Sequence, residues 1–172
     1  LLVGLLNLTV LLAERHFAGT WTSIALGLLN GAFLAAAEAG RSRGLEWLDA
    51  QWHRLVLWAA AIGFLTHPAL SQVAFRYPHT GETAGFVLWL AALALGHAQY
   101  RARTPDVTAL AIGAASVGFV ALGFVSRNIV SGFFRFDADA LLMSAFAAVI
   151  IAGALGAWLK AAAAQMQEVA DV

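Results

Sequence analysis

A run of 23 residues from His53 to Phe75, HRLVLWAAAIGFLTHPALSQVAF, has a single ionisable side chain beyond its opening His-Arg pair, and that residue, His67, stands beside a proline. At about 1.5 Å per residue a helix of this length reaches about 34 Å, enough to cross a hydrocarbon core of about 30 Å. Inside lipid every backbone N–H and C=O must find a partner within the protein, which leaves only helices or a closed barrel. The rest of the chain has to satisfy the same condition, since 61% of it is hydrophobic and 12% charged, against about 25% charged in soluble domains.

Apolar runs bounded by charge mark six spans: residues 1–13, 20–39, 53–75, 83–100, 106–126 and 138–160. Alternation of apolar and polar residues at period two is absent, so the barrel drops out. The expected fold is an all-α, polytopic transmembrane helix bundle of about six membrane helices, forming a single domain over residues 1–172. Residues 1–13 are too short to cross alone, begin on Leu1 and lack the charged start of a signal peptide. They read as a truncated first helix in a fragment of a longer chain.

Short connections carry turn chemistry. Gly40-Arg-Ser-Arg-Gly44 ends the second span, and Leu45 to His53 reads either as a short interfacial helix or as the polar end of the third span. Arg76 to Gly81 forms a polar turn, and Pro105 is expected in the first turn of the fifth helix. Counting Lys and Arg places Arg41, Arg43, Arg54, Arg101, Arg103 and Lys160 on one side and Arg15, Arg76, Arg127 and Arg135 on the other. The first side is therefore expected to be cytoplasmic.

Lipid supplies no hydrophobic drive between helices, so small residues that admit close backbone approach mark candidate contacts. Gly27 and Gly31 form GxxxG in the second span, Ala148, Ala152 and Gly156 line one stripe of the sixth, and the fifth offers Ala109 with Gly113 or Ala114 with Gly118. Such faces would serve a protein partner or a homo-oligomer within the lipid bilayer.

Few residues could carry chemistry. Pro68 removes a backbone donor and predicts a bend at residues 66–68. His67 beside it is either a proton or ion site or, as expected here, an imidazole within about one turn of the outer surface making a local hydrogen bond. Glu38 reads as an interfacial ion-pair residue, with Arg41 one turn on, or as a carboxylate in a transport path. Asn30 reads as an interhelical hydrogen-bonding amide. Asp137 and Asp139 read as caps at the start of the sixth helix. No HExxH, GxSxG, P-loop or GxGxxG occurs, there is no cysteine, and ten basic residues balance ten acidic ones without a basic block. The expectation is a non-enzymatic chain with no cofactor, no metal and no nucleic-acid partner.

From Tyr100 the text runs Tyr-Arg-Ala-Arg-Thr-Pro-Asp, an apolar helix, a short loop after Arg127 and a last helix containing Ala157-Trp-Leu-Lys160. This segment, roughly the last 70 residues, resembles the C-terminal end of a family of bacterial multi-pass membrane proteins defined only as a domain of unknown function, some encoded beside a GDYXXLXY-domain partner. The resemblance implies an inner-membrane location and no known enzyme activity. Two functions follow as expectations: a scaffold or partner-binding subunit of a bacterial envelope complex, or a transporter or channel-like unit with an ion or proton path near the interrupted third span.

Overall fold

The computed structural model describes residues 19–41, 43, 51–74, 79–132 and 138–170. They form five helices and, among the described residues, no strand: α1 (Thr20–Arg41), α2 (Gln51–Ala74), α3 (Thr80–Ala98), α4 (Val107–Gly132) and α5 (Ala138–Ala170), with a π-helical segment, Gln99–Arg103, continuing α3. All five are long and apolar enough to cross a membrane. The expected span at 1–13, the stretch 45–50 and Asp137 lie outside the described residues, so the bundle described has five spans rather than six.

α2, the expected organising stretch, is the hub of the bundle. It packs extensively on α1, α3 and α4, whereas α1 and α3 touch each other little and α5 packs chiefly on α4. The sequence explains how these contacts become close. α2 presents the large side chains, and its neighbours answer with glycines. A Cβ added to Gly27 of α1 would lie 2.7 Å from Leu65 Cγ, and one added to Gly85 of α3 would lie 2.5 Å from Pro68 Cβ. Gly96 of α3 sits against the Trp58 ring, and Gly123 of α4 against Leu70. Close approach of this kind gains dispersion along the whole contact, the main attraction left once lipid has replaced water. The other half of the expected GxxxG motif is not used in this way: a Cβ on Gly31 would meet nothing within 4 Å.

Pro68 does not end α2, which runs unbroken from Gln51 to Ala74. Residue 68 has no N–H to offer the Phe64 carbonyl. The ring itself is among the most deeply buried side chains, seated on the bare backbone of Gly85.

Two helix starts differ from expectation for one reason, a carboxylate used as a cap. α3 begins at Thr80 rather than near residue 83, because Glu82 lies inside the first turn and its Oε2 accepts the His79 backbone N–H at 2.8 Å. Acidic groups are favoured there by the positive end of the helix dipole. At α4 the cap is Asp106, whose Oδ1 accepts from the N–H groups of Thr108 at 2.9 Å and Ala109 at 3.1 Å. Pro105 therefore precedes the helix instead of lying in its first turn. Between these helices the π segment closes with the Thr104 N–H donating to the Gln99 carbonyl at 2.9 Å. It turns Tyr100 into the core, 2% exposed, and leaves Arg101 and Arg103 outside.

Candidate functional site

The expected site residues do not converge. His67 is exposed, and its Nδ1 lies 3.4 Å from the Ser23 hydroxyl of α1, so its partner is another helix rather than a local group. α2 continues beyond it to Ala74, about two further turns of helix. Asn30 is fully buried and its amide donates to the Leu26 carbonyl of its own helix at 2.8 Å. Glu38 forms an ion pair, as its position suggested, but with Arg54 of α2 at 3.4 Å. Of these three, only Glu38 lines either of two cavities, one between α2, α3, α4 and α5 and one between α1, α2 and α3.

The small-residue stripe of α5 is uncovered in the single chain. Ala152 and Gly156 are exposed, Ala148 is half-buried, and a Cβ on Gly156 would meet nothing within 4 Å. α5 instead meets α4 through Leu155 and Ile151, which lie 3.1 Å and 3.8 Å from a Cβ built on Gly118.

Sequence reasoning missed a hydrogen-bonded cascade in the middle of the bundle. The Trp89 indole N–H of α3 donates to the Ser116 hydroxyl of α4 at 2.7 Å, and Ser116 lies 2.6 Å from the Thr66 hydroxyl of α2. Thr66 in turn donates to the Ile62 carbonyl at 2.6 Å. Since the Thr66 proton is engaged there, the proton between the two hydroxyls belongs to Ser116. Each O–H then gives one bond and accepts one, and the three central helices are joined in a single direction. The available signal was a tryptophan at the centre of a span instead of at its interface. Ser116→Ala strands the Trp89 donor in a dry interior and should lower unfolding stability in mixed micelles by about 1–2 kcal/mol. An unchanged unfolding curve would remove the cascade from the list of stabilising features.

A second polar group gathers at the other end of α1. Glu38 and Arg54 pair there, with side chains 19% and 12% exposed. The Trp58 indole N–H donates to the Ala109 carbonyl at 2.8 Å, and Gln51 donates to Asp106 Oδ2 at 2.9 Å. Tyr100 packs its ring on Trp58 at 5.6 Å between centroids. At the exposed margin of this layer Arg101 reaches Gln165 of α5 at 2.6 Å and lies 3.3 Å from His97. Cations assigned by sequence to one side, Arg54 and Arg101, thus stand in one polar layer. Beside the layer an apolar groove of about 540 Å³ opens between α1, α2 and α3, with Glu38, Gln99 and Tyr100 at its end. Among the described residues no three His, Asp or Glu side chains come together as a metal site.

These features define a polytopic α-helical membrane protein with one organised polar end. Compared with protein-family models, curated proteins and solved structures, the chain finds no significant match.

Proposed function

We propose that the protein is a non-enzymatic integral membrane subunit, a scaffold that binds another transmembrane helix through α5. The observation that carries this reading is the one-sidedness of α5: no residue in its most apolar 18-residue stretch is buried, although it contacts α4 along part of its length. Ala148, Ala152 and Gly156 on that helix offer the close backbone approach by which helices associate in lipid. The resemblance of the C-terminal segment adds the setting, a complex of the bacterial envelope with the protein in the inner membrane. The transport alternative has less support, because His67, Asn30 and Glu38 are held by separate partners.

The chain has no cysteine, so a single photoreactive or thiol probe reports from one position only. With the probe at Gly156, native membranes should give one discrete cross-linked species, at twice the monomer mass for a second copy and at another mass for a different partner. The same probe at Phe119, a side chain of α4 that is 64% exposed, should give none. Equal, diffuse labelling at both positions would sink the proposal.

A further inference from the structure

We infer that the groove between α1, α2 and α3 is a binding site for one amino-headed membrane lipid, with an acyl chain along α1 and its ammonium group at Glu38. The groove exists because α1 and α3 meet at one end and part at the other. A Cβ on Gly81 would lie 3.2 Å from the Trp21 ring, and one on Gly85 would lie 3.3 Å from Ile24, so the helices touch there. One to two turns further along α1 the contact is gone: Gly31 faces open space, and the walls are Leu28, Ala35, Leu88 and Leu95. From Gly27 to Glu38 the groove follows 12 residues of α1, about 16 Å between the first and the last. Half of a hydrocarbon core of about 30 Å is close to that length, so the groove spans one leaflet.

Its polar end shows what head group would fit. Glu38, Gln99 and Tyr100 line it. Glu38 has one long contact to Arg54, 3.4 Å, through a single carboxylate oxygen. Gln99 donates one amide N–H to Thr104 and keeps its amide oxygen as an acceptor. Tyr100 is 2% exposed, yet its hydroxyl makes no hydrogen bond to another described residue. Glu38 and Gln99 are half-buried and Tyr100 is buried, and together they set oxygen acceptors around a carboxylate at the margin of an apolar groove, where a donor that enters has little water to compete with it. A primary ammonium brings a positive charge and three N–H donors. A quaternary head brings charge without donors, and an anionic head meets Glu38 with the wrong sign.

The test uses the full chain purified from membranes and reconstituted in nanodiscs containing equal parts of phosphatidylethanolamine, phosphatidylcholine and phosphatidylglycerol. Native mass spectrometry then reads which lipid stays bound after release. Phosphatidylethanolamine should be retained about tenfold over either of the others, a preference of about 1.4 kcal/mol. Gly31→Phe places a ring in the open space and should abolish retention while circular dichroism shows an unchanged helical fold. Tyr100→Phe keeps the ring on Trp58 and removes only the hydroxyl. It should retain a lipid but lose most of the preference among head groups. Equal retention of all three lipids by the unaltered chain, or full retention by Gly31→Phe, would overturn the assignment.

Discussion

Trp58→Ala is expected to be the most damaging single truncation in the bundle, lowering unfolding stability by about 3 kcal/mol. Truncation of a buried aromatic residue in a water-soluble core costs about 3–5 kcal/mol. The low end applies because lipid solvates an exposed indole almost as well as the core does, so the loss is mainly of packing and of the hydrogen bond to Ala109. Trp58 is 5% exposed and touches three elements: its ring covers Gly96 of α3, packs at a tilt against Tyr100 of the π segment, and its indole N–H donates to the Ala109 carbonyl of α4. Titration with sodium dodecyl sulfate in mixed micelles, followed by circular dichroism, measures the change. A companion result locates its source. Gly96→Ala alone should destabilise, since its Cβ has no room beneath the indole, whereas in the Trp58→Ala background it should cost nothing further. A loss below about 1 kcal/mol for Trp58→Ala would mean that neighbours collapse into the space and that Trp58 is not the hinge of the packing.

Gly85→Ala should cost about 1–3 kcal/mol, the range for overpacking a filled contact. The added carbon would sit 2.5 Å from Pro68 Cβ and 2.6 Å from Cγ, far inside van der Waals contact. Most side chains would yield by rotating, but a proline ring inside a helix has no such freedom, so α3 must move as a body. Gly31→Ala is the matched control, because nothing lies within 4 Å of its added carbon. Alanine favours the helix over glycine by about 1 kcal/mol, so the control should be neutral or stabilising. If both substitutions behave alike, the close seat of Pro68 on Gly85 is not what sets the α2 and α3 spacing.

How much of this was legible in the sequence depends on the range over which each feature is decided. Spans were legible because crossing a bilayer is a matter of length and hydropathy, both local. Their ends were displaced at Glu82 and Asp106, where a charge that looks like a boundary works as a cap one turn inside or just before the helix. The ion-pairing role of Glu38 could be read, but its partner Arg54 could not, since it depends on how α1 crosses α2. Hydroxyls such as Thr66 and Ser116 occur in many spans, and only the registers of α2, α3 and α4 decide that these two meet Trp89. The same dependence split the GxxxG pair: Gly27 is closed on by Leu65, while Gly31, one turn on, lines the groove.

The hub arrangement of α2 also sets where this sequence is free to drift. Bulk is concentrated on one helix and its absence on three others, so Gly27, Gly85, Gly96 and Gly123 can change only if Leu65, Pro68, Trp58 or Leu70 changes with them. Gly63, Gly153 and Gly156 face open space in the single chain and carry no such tie. Divergence in a lineage of such chains would therefore run in two modes. At the hub, a small and a large residue would exchange as linked pairs between helices. Along the outer face of α5, residues would change singly, each limited only by its own fit to the surroundings of that helix.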